Sequence, residues 1–335
     1  MPALDARAAE RASRLAALRI GILHNPRSGA NLTRGASMRR IFRAHPGVPC
    51  HEAADPEAVA RALREMARQG VNAVAISGGD GTVSAVLNAV FEHNPFHRVP
   101  LLAALHGGTA NMTAGDVGVQ GRHDRALSSL LEGAARGGDV LTVVERTVMR
   151  IDPGAGRAPI YGLYFGAAAI AQGIEYCKRH VHALGLRGEL GPGITIARFV
   201  LAMARGERAI VAPVPIAVAI DGAPPATFDC EIMHVTTLER MVLGVRPYWG
   251  TEAAPLHYAS VRGGPRHWVK AVPGLLRGRP NRYVTPANGY ESHNAHRLAV
   301  LLDSPFFVDG ELYAATAGTP LAIAGGGTAG FLRLR

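Results

Sequence analysis

Apolar positions in the first part of the chain alternate between two rhythms. Short unbroken runs, Arg19–Leu23, Ala73–Ile76 and Pro100–Leu105, have the length and composition of buried strands. Between them lie stretches with a spacing of three to four. In the stretch from Thr82 to His93, for example, Val83, Val86, Leu87 and Val90 share one face. Helices are therefore predicted over Gly35–Ala44, Pro56–Gln69, Thr82–His93 and Asp124–Glu132. The second has clear punctuation: Asp55 can cap it, Pro56 suits its first position and Gly70 ends it. Strands alternating with helices predict a parallel sheet with helices on both faces.

Near Gly138 the rhythm changes. Val140–Ile151, Ile160–Phe165, Ile210–Ile220, Cys230–Thr237, Arg297–Leu302 and Phe306–Val308 read as strands, separated by Asp-Gly, Pro-Gly and Gly-Gly turns. This part is expected to be a mainly antiparallel β-sandwich with one helical interruption, about Gly173 to Gly206. The boundary falls near residues 138–146. The expected division is an α/β domain over 1–142 and a β-rich domain over 143–335.

The 335 residues suffice for two cores, and no apolar run reaches eighteen residues. Residues 1–17, with Asp5, Arg7, Glu10, Arg11 and Arg14, read as an amphipathic or frayed helix rather than a secretion signal. Three widely spaced cysteines, Cys50, Cys177 and Cys230, suggest neither a disulfide framework nor a metal site, so a cytoplasmic setting is expected. A net charge of +10 calls for an acidic partner. Basic and aromatic residues cluster from Arg262 to Tyr283, around Leu275 and Leu276, a mixture suited to the headgroup zone of an anionic membrane.

Three glycine-bearing turns follow the predicted strands: Asn25-Pro26-Arg27-Ser28-Gly29, Gly78-Gly79-Asp80-Gly81-Thr82 and Gly108-Thr109-Ala110-Asn111. In an open parallel sheet, ligands sit beyond the carboxyl ends of the strands. Glycine lets backbone N–H groups approach a ligand, and a helix start favours an anion. Asp80 adds a carboxylate where a phosphate-bound Mg²⁺ would lie. No Gly-x-x-x-x-Gly-Lys-Ser/Thr loop is present.

These motifs together resemble the diacylglycerol kinase catalytic domain family, which includes bacterial lipid kinases and sphingosine and ceramide kinases. The resemblance implies ATP- and Mg²⁺-dependent phosphorylation of a lipid hydroxyl in a cleft between an α/β domain and a β-sandwich. It implies that Asn25, Pro26, Ser28, Gly29, Gly78, Gly79, Asp80, Gly81, Thr82, Gly108, Thr109 and Asn111 hold the nucleotide, with Asp80 toward the metal. The turn Val308-Asp309-Gly310-Glu311-Leu312 resembles the family's late Asp-Gly-Glu turn, so Glu311 or Asp309 is the expected general base, with Asp80 the rival. Asp309-Gly310 is equally a plain hairpin signal. Met112 stands where many relatives have Asp, and the stretches Gly244–Gly250 and Ala254–Tyr258 lack the acidic ligand of a structural Mg²⁺ site, so only the catalytic ion is expected.

A NAD kinase shares Gly-Gly-Asp-Gly-Thr but not the Asn25-Pro26 loop, and a nucleotide-binding pseudokinase is the other alternative. The expected acceptor is a ceramide or sphingoid lipid or a diacylglycerol. The expected partners are that lipid, an anionic membrane surface at the inner face of the membrane, and a second copy of the chain, with no nucleic acid.

Overall fold

The computed structural model of the protein describes residues 12–33, 35–176, 198, 201–203, 205, 207 and 211–335. It forms two compact units: residues 1–146 with 328–335, and residues 147–327. The sequence division at 142/143 assigned the C-terminal segment to the second domain. Residues 328–335 instead pack in the first.

The first unit contains β1 (Ile20–His24), α1 (Gly35–Ala44), β2 (Cys50–Glu52), α2 (Pro56–Arg68), β3 (Ala73–Gly78), α3 (Asp80–His93), β4 (Leu101–His106), α4 (Met112–Val117) and α5 (His123–Ala135). The strands run parallel in the order β2-β1-β3-β4. The C-terminal strand joins β4, also in parallel, through Phe331 opposite Leu102. Every residue of β1 and β3 is buried, which explains their unbroken apolar runs: helices cover both faces, so no alternation is needed. In α2 the Asp55 carboxylate accepts the Ala58 N–H at 2.8 Å, Pro56 opens the helix, and Val59, Ala62, Leu63 and Met66 face inward.

The three-residue strand β2 was not predicted, and two helices differ from expectation. Helix α3 begins at Asp80, two residues before Thr82. Gly81 is a poor helix former in isolation, but the first turn has no intrahelical N–H bonds to lose, so a glycine there is tolerated. Helix α4 has six residues, too few for a periodic signal, and was missed.

The second unit begins in β5 (Leu141–Asp152) and contains β6 (Ile160–Gly162), β7 (Tyr164–Ala168), α6 (Ala169–Tyr176), β8 (Val214–Ile220), β9 (Ala226–Thr236), β10 (Leu256–Arg262), α7 (Trp268–Arg277), β11 (Tyr290–Ala295), β12 (Arg297–Leu302), β13 (Phe306–Val308), β14 (Glu311–Tyr313) and the start of β15 (Leu321–Leu334). Its pairings are antiparallel, as expected. The long β9 pairs with β8 through its first half and β7 through its second, with β10 along the edge opposite β7. Phe165, Met233, Val235, Val300 and Phe306 are in its apolar core.

Strands β10, β11 and β15 were not foreseen. Glycines weaken a strand interior, yet β15 runs through Gly325-Gly326-Gly327. A Cβ on Gly326 would lie 2.7 Å from the Arg150 Cβ, so close packing, not a bend, calls for glycine there. Of the expected helical stretch from Gly173 to Gly206, most lies outside the described residues, and so does Cys177. No helix among the described residues is long and apolar enough to cross a membrane.

Candidate active site

Strands β1, β3 and β4 are neighbours in one parallel sheet, so the three turns leaving their carboxyl ends lie side by side. They are locked to one another by backbone bonds. Asn25 N–H donates to Ser77 O at 2.9 Å, and Gly107 N–H donates to Gly78 O at 3.2 Å. The Gly107 carbonyl accepts both the Ala30 N–H at 3.1 Å and the Ser28 hydroxyl at 2.8 Å. Asn25 then donates its amide to the Thr82 hydroxyl at 2.9 Å, which ties the first turn to the start of α3.

The glycines make this interlock sterically possible. A Cβ on Gly108 would stand 2.4 Å from the Gly79 Cα, and one on Gly79 would stand 2.9 Å from the Gly108 Cα. A Cβ on Gly29 would meet the Thr109 hydroxyl at 2.8 Å. Gly29, Gly79 and Gly108, predicted to let a ligand approach, are required first by loop against loop. Asn111 closes the third turn in the left-handed region, with φ 50°, where asparagine is tolerated. Its side chain accepts the Gly108 N–H at 2.7 Å and donates to the Gly108 carbonyl at 3.1 Å.

Asp80 is buried at the head of α3. Its carboxylate accepts the Met112 N–H at 3.1 Å and the Thr113 N–H at 2.9 Å, so it caps α4. This explains the missed helix: its start is satisfied by a residue thirty-two positions earlier. Burial pushes the Asp80 carboxyl above its usual range, against the pull of the two N–H donors. No side chain caps α3 at Gly79. Met112 contributes its N–H to Asp80, and Asp116 makes a 2.9 Å ion pair with Arg146.

Beneath the turns lies a buried polar network that sequence reasoning did not identify. His24 Nδ1 lies 2.8 Å from the Ser77 hydroxyl, which lies 3.0 Å from His123 Nε2. His123 Nδ1 is 3.1 Å from the His106 carbonyl. A carbonyl only accepts, so Nδ1 of His123 carries a proton and donates. In the neutral ring Nε2 then accepts from Ser77, and His24 Nδ1 donates to Ser77. Burial lowers the His24 pKa, with Glu52 acting against it, which favours the neutral ring. Asn31 donates to Asn25 O and Ser77 O, each at 2.9 Å. The signal available in the sequence was a polar residue at the end of an apolar strand: His24 after Leu23 and Ser77 after Ile76.

In the second unit, Asp309-Gly310 is the two-residue turn between β13 and β14, with φ of 40° and 111° and Val308 paired with Glu311. The Asp309 carboxylate is turned inward. It accepts the Leu163 N–H at 2.6 Å and the Tyr164 N–H at 2.9 Å. A Cβ on Gly162 would lie 2.6 Å from that carboxylate. Burial, with the Asp309 charge beside it, pushes the Tyr164 phenol up. Glu311 is exposed. The two carboxylates, two residues apart, thus have opposite environments.

An apolar cavity of about 160 Å³ also lies in the second unit, between β9, β10 and α7. Ile232, Trp249, Val261, Trp268, Val272 and Leu275 line it, with His234 and Ser260 the polar residues of its wall. Burial pulls the His234 pKa down to about 4, with His257 adding to the shift, and its Nε2 has no hydrogen-bond partner.

Comparison with known proteins places these features. Residues 19–143 match the model of the diacylglycerol kinase catalytic domain, the resemblance carried by the three turns. A probable lipid kinase YegS-like protein of Enterobacter sp. (strain 638) is 33% identical over 88 residues, 26% of this chain and 29% of that relative, so the match spans under a third of the relative's length. A solved structure of a putative diacylglycerol kinase from Bacillus anthracis str. Sterne has a TM-score of 0.62 at 17% identity, covering 94% of this chain and 96% of the other. Another diacylglycerol kinase structure from that organism gives 0.58 at 15% identity over the same shares. At such identities the likeness establishes the fold.

Proposed function

We propose that this chain, a member of the diacylglycerol kinase catalytic domain family over residues 19–143, is an ATP-dependent lipid kinase whose acceptor is a ceramide-like or diacylglycerol-like membrane lipid alcohol. The observation that carries the reading is the interlock of three glycine turns at the carboxyl edge of β1, β3 and β4, in a segment that matches that catalytic domain. The turns offer a nucleotide backbone N–H groups, the hydroxyls of Ser28, Thr82 and Thr109, and the α3 N-terminus, which no side chain caps.

Asp80 is the carboxylate that the three motifs supply. Each of its oxygens accepts one N–H, which leaves lone pairs for a cation, so the site fits a Mg²⁺ that arrives with the phosphates. Such an ion supplies charge neutralisation on the phosphates. The protein's part is positioning. The acceptor oxygen attacks the γ-phosphorus, the bond from that phosphorus to the ADP oxygen breaks, ADP leaves with the electron pair, and a carboxylate takes the hydroxyl proton.

We assign that proton to Glu311. Asp80 is buried and turned to the proposed metal, and Asp309 is buried with each oxygen on a backbone N–H, whereas Glu311 is exposed two residues beyond the Asp309 anchor. The apolar cavity lined by Trp249, Trp268 and Leu275 is the proposed seat of the acceptor's hydrocarbon.

The test is purified protein with Mg²⁺ and γ-labelled ATP against diacylglycerol, ceramide, sphingosine and a polyprenol. Label should enter one of these lipids. Failure with all of them would overturn the reading, and label in NADP instead would select the NAD kinase alternative.

A further inference from the structure

We infer that the outer face of α7, together with the loop 241–246, is a docking surface for an anionic bilayer. Large apolar side chains exposed among the described residues are few, and three of them are here: Leu243 at 71%, Val269 at 70% and Leu276 at 40% exposure. Val269, Pro273 and Leu276 stand at positions i, i+4 and i+7 of α7, so they form one stripe, and all three are exposed. Leu243 belongs to the same patch, because the Arg246 N–H donates to the Leu276 carbonyl at 3.0 Å. The space a Cβ on Gly278 would occupy is filled by the Arg246 carbonyl at 2.4 Å, so loop and helix end are packed together. Leu243 also sits in the left-handed region, with φ 58°, which leucine rarely adopts.

Charge identifies the occupant. From Arg262 to Tyr290 the chain has no Asp or Glu, and it has six Lys or Arg. Lys270 and Arg277 each adjoin a stripe residue and are exposed, as are Arg266 and Arg279. Apolar side chains flanked by exposed cations fit the interface of a membrane carrying acidic headgroups, where the chains enter the acyl boundary and the cations remain at the phosphates. A second copy of the chain would bring the same cations against themselves, which opposes self-association through this face.

The test uses the full chain and vesicles with neither ATP nor any acceptor lipid, so its outcome is separate from that of the kinase assay. Wild type should sediment with phosphatidylcholine vesicles containing phosphatidylglycerol, not with phosphatidylcholine alone, and less at high salt. Leu243→Ser with Val269→Ser should weaken binding at least about tenfold, since two buried aliphatic side chains are lost. Lys270→Gln with Arg277→Gln should weaken it about fivefold per charge. Circular dichroism and melting of each variant should match wild type. No binding by wild type, or wild-type binding by both double variants, would overturn the inference. So would a dimer in sedimentation velocity that the apolar variant dissociates while vesicle binding persists. Absence of lipid phosphorylation would leave it standing.

Discussion

Asp309 accepts the backbone N–H of Tyr164 at 2.9 Å, which turns the carboxylate of an Asp-Gly turn into an internal anchor for β7. Asp309→Asn keeps a residue that tolerates φ 40° but loses a charged acceptor, so a loss of about 2 kcal/mol is expected. Glu311→Gln should leave stability within about 0.5 kcal/mol and lower kcat about 10²- to 10⁴-fold. Chemical unfolding beside steady-state kinetics separates the two. A stable, inactive Asp309→Asn protein beside an active Glu311→Gln protein would reverse the assignment.

The glycine interlock predicts a contrast within one segment. Gly108→Ala places a methyl 2.4 Å from the Gly79 Cα and should cost about 1–3 kcal/mol. It should also weaken nucleotide binding, because the turns must part. A Cβ on Gly115, inside α4, meets nothing within 4 Å, so Gly115→Ala should be neutral or stabilise by up to about 1 kcal/mol. Melting temperatures and ATP titrations of the two proteins check this, and equal behaviour would refute the steric account.

His234 makes stability depend on pH. Its folded pKa of about 4 lies below the ordinary 6.5. In that interval the unfolded chain binds a proton that the folded chain refuses. Stability is therefore full above pH 6.5 and declines as pH falls toward about 4, by as much as about 3 kcal/mol. His234→Phe should flatten this part of the pH profile in urea unfolding. His24, also lowered, contributes with the same sign to both proteins, so the difference between them reports His234. Parallel profiles would show that the ring is not responsible.

Asp116, four residues beyond Met112, is held in a buried ion pair. Its side chain is 2% exposed and pairs with Arg146 at 2.9 Å. Arg146→Met removes the cation from a buried carboxylate and should cost about 3–5 kcal/mol. Asp116→Asn added to it should recover part of that loss. ATP affinity of the double variant should match wild type, and a large decrease would place Asp116 in the nucleotide site after all.

Most of the first unit was legible because its signals are local. Pro56, Asp55 and Gly70 punctuate one helix, and unbroken apolar runs mark strands buried on both faces. The three turns could be read as motifs because each is a contiguous stretch of residues. Their juxtaposition depends on strand order: β1, β3 and β4 are neighbours, and only the folded sheet establishes that. The same holds for α4, whose start is satisfied by Asp80, and for β15, where Gly326 is needed for packing against Arg150. The roles of the late carboxylates were likewise open in the sequence. Asp309 and Glu311 are two residues apart in a common turn motif, and burial on one side of a hairpin and solvent on the other distinguishes them. Residue type and spacing thus determined the elements and the candidate chemistry. Solvent access, strand order and contacts across distant sequence decided which groups hold the turns together and which face solvent.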